Sequence, residues 1–253
     1  MLNTIHHGTA TTPPPLLIAH GLFGSARNWG VIVKRLSDTR QVIAADMRNH
    51  GASPWFDSHG YDDLANDLAE VIAANGGPMD VLGHSMGGKA AMMLALTHPN
   101  LVNRLIVADI APVPYNHSQS HNIEAMRALD LATIEKRSDA NAALAPLLED
   151  PALAAFFLQS LDVANKRWRL NHDTLDREMP KILSFPQVSA VFDKPVLFLS
   201  GGESDYVTRE MRPEIKAKFP QARFMKIPGA GHWLHAEKPR EFEAAVRSWL
   251  DHV

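Results

Sequence analysis

Gly83-His84-Ser85-Met86-Gly87 sets a serine between small residues, at the point where an apolar run gives way to helical spacing. On such a tight strand-to-helix turn a hydroxyl stands clear of its neighbours. The N–H of the next residue, Met86, then points toward any negative oxygen that forms there, aided by the positive end of the helix. This is the chemistry of a nucleophile attacking a carbonyl. A second N–H donor is needed, and His20-Gly21-Leu22-Phe23-Gly24, directly after the run 16–20, can supply that of Leu22. A serine hydroxyl stays weak until a base takes its proton. Among 13 histidines, position singles out His232 in Gly229-Ala230-Gly231-His232-Trp233, after the last strand-like run. Imidazole titrates in the right range to take a proton and later return it to a leaving group. His84 and His235 fit that role less well. An acid must hold the imidazole in one tautomer. Asp109 and Asp205 each follow a strand-like run, and position alone favours Asp205.

Other motifs compete for the same residues. Gly83 to Lys89 also reads Gly-x-x-x-x-Gly-Lys, a phosphate-binding loop, but Ala90 stands where a Ser or Thr hydroxyl would hold Mg²⁺. His117 and His121 are spaced as a zinc pair on one helix face, with no clear third ligand. In Asp46-Met47-Arg48-Asn49-His50-Gly51, Arg48 is suited to tying loops together by charge-assisted bonds. The alternative there is contact of Arg48 or His50 with a substrate anion. Trp29, Trp55, Trp168 and Trp233 read as packing residues.

Positioning these side chains takes short apolar runs alternating with helical patterns, the signature of a mostly parallel sheet covered by helices on both faces. Strands are expected at 16–20, 41–46, 79–83, 104–109, 195–200 and 222–227, and helices at 29–36, 61–74, 86–97 and 239–250. Between 114 and 192 no strand is evident. Helical spacing at 123–137, 139–148, 151–161 and 174–183 marks that stretch as an inserted helical cap, 114–192, on a core made of 1–113 and 193–253. A helical excursion leaving the C-terminal edge of a sheet sits over the place where ligands bind in open α/β folds. The apolar stretch 152–158 either faces that pocket or packs the insertion onto the core.

Composition narrows the function classes. A chain of 253 residues with 25 Lys+Arg against 28 Asp+Glu lacks the basic excess of a nucleic-acid binder. With no cysteine there is neither a disulfide nor a thiolate-held metal. The longest apolar runs fall far short of the roughly 18–20 residues of a membrane span. The N-terminus reads as that of a soluble, cytoplasmic protein rather than a secreted one.

Taken in order, His-Gly-Leu-Phe-Gly-Ser, Asp46 to Gly51, Gly-His-Ser-Met-Gly-Gly-Lys, Asp109-Ile110-Ala111-Pro112 and Gly-Ala-Gly-His-Trp resemble the α/β-hydrolases. More narrowly, the chain is similar to the bacterial YbfF-type acyl esterases. The resemblance implies an eight-stranded, mostly parallel sheet with a helical cap. It moves the expected acid from Asp205 to Asp109, since that subgroup places it after the sixth strand. It also implies a serine hydrolase acting on a small-molecule carboxylic ester or acyl thioester, acyl-coenzyme A included, with Ser85, His232 and Asp109 catalytic. Leu22 and Met86 would be the oxyanion donors, and no metal or cofactor is required. Two alternatives remain at this stage: hydrolysis of a carbon–carbon bond in a small diketone, and a non-catalytic small-molecule binder.

Overall fold

The computed structural model describes residues 1–9 and 11–252. Its frame is a seven-stranded sheet in the order β1-β3-β2-β4-β5-β8-β9. The strands are β1 (Thr4–His7), β2 (Leu16–Ala19), β3 (Val42–Ala45), β4 (Met79–His84), β5 (Val102–Ala108), β8 (Val196–Gly201) and β9 (Ala222–Ile227). All neighbours run parallel except β1, which pairs antiparallel with β3 through Thr4↔Ala45 and His7↔Val42. Every residue of β2, β3, β4 and β8 is buried, as expected where helices cover both faces of a parallel sheet.

On one face lie α1 (Gly30–Leu36), the short α10 (Leu234–Glu237) and α11 (Pro239–His252). Phe242, Ala245, Val246, Trp249 and Leu250 of α11 recur at i, i+3, i+4, i+7 and i+8, so one stripe of the helix packs against Ile32, Val33 and Leu36 of α1 and the strand residues beneath. The other face carries α2 (Tyr61–Ala74) and α3 (Met86–Thr97). From Met86 to Leu96 every residue of α3 is buried, because the helix is sandwiched between the sheet and α2. α9 (Arg212–Lys218) joins β8 to β9.

The connection from β5 to β8 contains α4 (Ser120–Arg127), α5 (Arg137–Leu144), α6 (Ala154–Phe157), α7 (His172–Arg177) and α8 (Met179–Leu183), with single 3₁₀ turns between them. It also holds a pair of two-residue strands, β6 (Leu161–Asp162) and β7 (Arg167–Trp168), that the sequence pattern does not reveal. A ladder this short has no periodicity to detect. Polar bonds pin the connection to the rest of the chain: Ser160 Oγ donates to Phe23 O at 3.1 Å, Asn28 Nδ2 to Gln159 Oε1 at 2.7 Å, and Gly51 N–H to Arg169 O at 2.8 Å.

Several expectations need correction. The helix expected over 123–137 ends at Arg127 and gives way to a 3₁₀ turn at Leu131–Thr133, and that expected over 151–161 is α-helical only at Ala154–Phe157. Trp55 is exposed rather than packed. The sheet has seven strands among the described residues, not eight. Between β1 and β2 the chain turns at Gly8, with φ +72°, and then enters Pro13-Pro14-Pro15, which has no N–H donors for a further ladder. The helix expected over 174–183 is two helices. It breaks at Glu178, whose φ −89° and ψ 2° leave the helical ladder just ahead of Pro180.

Candidate active site

β4 ends at His84 and α3 begins at Met86, so Ser85 makes the whole turn, with φ 52° and ψ −120°. A non-glycine residue in that region costs of the order of 1–3 kcal/mol and persists only where its surroundings hold it. Here close packing does so. A Cβ on Gly83 would fall 2.2 Å from Gly87 O, and one on Gly87 would fall 2.4 Å from Ala19 O. The sequence therefore needs glycine on both sides of the turn. The turn stands Ser85 at the C-terminal edge of the sheet, in the wall of a cleft.

His232 comes from the loop between β9 and α10. Its Nε2 lies 3.0 Å from Ser85 Oγ, and its Nδ1 lies 2.8 Å from Asp109 Oδ2. Asp109 directly follows β5, has φ 51°, and is fully buried. Gly201 N–H donates to its Oδ1 at 3.0 Å, and the Ser204 hydroxyl donates to its Oδ2 at 2.5 Å. Both carboxylate oxygens are thus satisfied, and Nδ1–H of His232 is held toward the acid while Nε2 is left to accept the serine proton. Asp205, which position alone favours, is exposed and makes no hydrogen bond to His232 among the described residues. Its neighbour Ser204 occupies the reach to the carboxylate instead. Tyr206 stacks on the His232 ring at 3.9 Å between centroids and 21° between planes. Burial pushes the Tyr206 hydroxyl up to about 12, so it remains a donor, here to His117 Nε2 at 2.6 Å.

Two buried histidines shape the loop before the serine. His20 Nδ1–H donates to Gly21 O at 2.8 Å, while its Nε2 accepts Met47 N–H at 2.9 Å. His50 Nδ1–H donates to Arg48 O at 2.9 Å, and its Nε2 accepts the N–H of Phe23 at 3.2 Å. Each ring has to be neutral to accept, and burial lowers both pKa values. Phe23 itself holds φ 63°. The Leu22 N–H has no acceptor among the described residues, and Met86, as the first residue of α3, has none within its helix. Both residues line the same cleft as Ser85. His84 lies behind the site, donating from Nε2 to His232 O at 2.8 Å, while His235 stacks on Trp29 at 4.2 Å.

The remaining motifs take structural roles. Arg48 grips Asp67 with two bonds of 2.6 and 2.9 Å, and its guanidinium lies over Phe56. Asp46 accepts from Asn3, Ala26 and Ala52, which fixes the same group of loops. His117 and His121 do not form a metal pair: His121 approaches Glu149 at 3.8 Å, and no metal-binding cluster exists among the described residues. Lys89, the lysine of the phosphate-loop reading, donates instead to the carbonyls of Leu183 and Ser184 at 2.9 and 2.7 Å. It is 1% exposed, and burial lowers its pKa to about 7. The sequence pattern assigns no role to Ser204 or Tyr206, and to Lys89 only that of the discarded phosphate loop. Only the triplet Ser204-Asp205-Tyr206 next to a favoured aspartate could have drawn attention to the first two.

The cleft encloses about 740 Å³ out to its solvent mouth, with Ser85, Met86, Leu22 and His232 in its walls. Most of its lining is apolar and aromatic. Leu153, Phe156 and Phe157 of the 152–158 stretch line it, while Ala154 and Leu158 of the same stretch are buried in packing, so that stretch does both jobs. Such a site can deprotonate a hydroxyl, hold a developing oxyanion and exclude much of the water.

Comparison with known proteins agrees with this fold. Residues 14–239 match the family described as the alpha/beta hydrolase fold. The chain is 38% identical to Esterase YbfF of Escherichia coli over 94% of its length and 93% of that protein. It is 39% identical to the sn-1-specific diacylglycerol lipase ABHD11 of Mus musculus, over 94% of this chain and 81% of that one. Among solved structures, a marine microorganism esterase superposes with a TM-score of 0.90 at 36% identity, covering 98% of this chain and all (100%) of that one.

Proposed function

The chain belongs to the α/β-hydrolase family, and on that premise we propose that it is a serine carboxylesterase. The observation that carries this reading is the unbroken line of hydrogen bonds from Ser85 Oγ through His232 to the buried Asp109. In the first half-reaction Ser85 Oγ attacks the carbonyl carbon while its proton passes to His232 Nε2. The tetrahedral oxyanion lies between the N–H groups of Leu22 and Met86. Collapse breaks the bond to the leaving group, which takes the proton from His232, and an acyl group remains on Ser85. In the second half a water gives its proton to His232 and attacks the acyl carbon, releasing the acid and restoring the serine. Each N–H donor of such a hole is worth about a hundred- to a thousandfold in kcat. Residues 114–192 act as the cap that walls the cleft. The same steps extend to acyl thioesters, acyl-coenzyme A among them, because nothing in the sequence of proton transfers depends on the leaving atom being oxygen.

The test is hydrolysis of p-nitrophenyl esters from two to sixteen carbons, wild type beside Ser85→Ala. Turnover in the wild type that disappears in the variant is the expected result, with the preferred chain length measuring the acyl end of the cleft. A wild-type protein inert toward every ester, yet binding them, would favour a non-catalytic binder.

A further inference from the structure

The cleft wall runs from fully buried to half-open rings. Around the serine and inward from it, Met86, Ile110, Phe157 and Ile182 are all buried. Aromatic rings line the buried part as well, in Phe23, Tyr61 and Phe157, whereas toward the mouth the rings are half-open: Tyr206, Trp233 and Phe156 are partly exposed, and His117 is exposed. These mouth groups gather round His232. Tyr206 stacks on its face, Trp233 stands edge-on to it at 5.4 Å, and Phe156 lies 6.0 Å from Trp233. His232 hands its proton to the departing group, so the leaving alcohol has to lie on this side.

The adjacent phenylalanines of α6 divide the work. Phe157 is buried and meets Phe23 edge-on at 5.4 Å and 90°, which fixes the inserted segment against the loop that carries Leu22. Phe156 packs on Phe157 at 5.6 Å and on Trp233 at 6.0 Å, yet keeps a partly exposed ring in the lining of the cleft.

We propose that Phe156 is a specificity-determining residue for the leaving group and that the aromatic mouth favours esters of flat aromatic alcohols over those of alkyl alcohols. The proposal rests on the esterase reading above and deepens it. Ring–ring contacts add to simple burial, so a planar leaving group held among Tyr206, Trp233 and Phe156 gains what an alkyl chain of equal area does not.

The experiment compares kcat/KM for phenyl, 2-naphthyl, butyl and cyclohexyl butyrate in the wild type, Phe156→Ala and Phe156→Leu, with folding checked by thermal melts. Taking each variant against the wild type on the same substrate removes the intrinsic reactivity of the leaving group. The expected result is a loss about five-fold larger for the aryl than for the alkyl butyrates in both variants, since leucine keeps apolar bulk without a ring. Equal losses on all four esters, or none, would overturn the proposal. A wild type that hydrolyses none of them would sink the esterase reading itself, a result separable from the first.

Discussion

Asp109 offers Oδ2 to two donors at once, His232 Nδ1–H and the Ser204 hydroxyl, while Gly201 N–H takes Oδ1. An amide in its place would put an N–H where His232 needs an acceptor, and the imidazole would rotate or change tautomer. Asp109→Asn should therefore lower kcat about ten-thousandfold with the fold intact. Asp205→Asn, at an exposed site without a bond to the histidine, should stay within about two-fold of wild type. The reverse ranking, read from kcat on one ester, would transfer the acid's role. Ser85 and Met86 were legible as the residues of a tight turn because the motif specifies the turn itself: glycines at 83 and 87 fit only where backbone approaches to within 2.2–2.4 Å of a Cβ position. Position could not separate the two aspartates. β5 and β8 are neighbouring parallel strands, so a carboxylate just past either one ends above the same part of the sheet. What distinguishes them is the left-handed turn at Asp109, φ 51°, and the hydroxyl of Ser204, neither of which has a sequence signature.

At the scale of elements, the central strands and flanking helices declared themselves because each buries a face with one clear period. α2 occupies the expected 61–74 and α3 the expected 86–97, while α11 extends two residues beyond the expected 239–250. The stripe of α11 has a checkable consequence. Phe242 is fully buried against Trp29, Ile32 and neighbours on that face of the sheet, so Phe242→Ala should cost about 3–5 kcal/mol in urea unfolding, as for other large aromatic cavities. A cost under about 1 kcal/mol would mean that this face collapses around the void or is not packed as described. The segment 114–192 was legible only as helical. Its helices are short, broken by 3₁₀ turns and capped locally, as where the Asp130 side chain accepts from Ala132 N–H. Its two-residue strands are fixed by tertiary contacts such as Gly51 N–H to Arg169 O at 2.8 Å. β1 escaped notice for a related reason: it is a four-residue edge strand with only partial burial.

The molecule as a whole holds a set of neutral imidazoles. His20, His50, His59, His84 and His235 are buried, and burial lowers each pKa, to about 3 for His59 and His235. In the unfolded chain the same groups titrate near the usual value of about 6.5. Below that pH the unfolded state takes up protons that the folded state refuses. Their contribution to stability is complete above about pH 6.5 and is lost as pH falls toward the folded values, at up to about 1.4 kcal/mol per pH unit per histidine. Urea midpoints between pH 7.5 and 5 should fall steeply, and a flat profile would mean these histidines are not held neutral. The same histidines hold the loop of Leu22 and the loop of His232, through Phe23 N–H to His50 and His84 to His232 O, and the central claim concerns the one hydroxyl those loops share a cleft with, Ser85. Its most direct test is reaction with a fluorophosphonate, followed by intact mass and peptide mapping while ester turnover is monitored. One phosphonyl group per chain on Ser85, gained in step with the loss of turnover and absent from Ser85→Ala, is the predicted result. Turnover that persists with Ser85 unlabelled, or a label that maps elsewhere as activity is lost, would contradict the account.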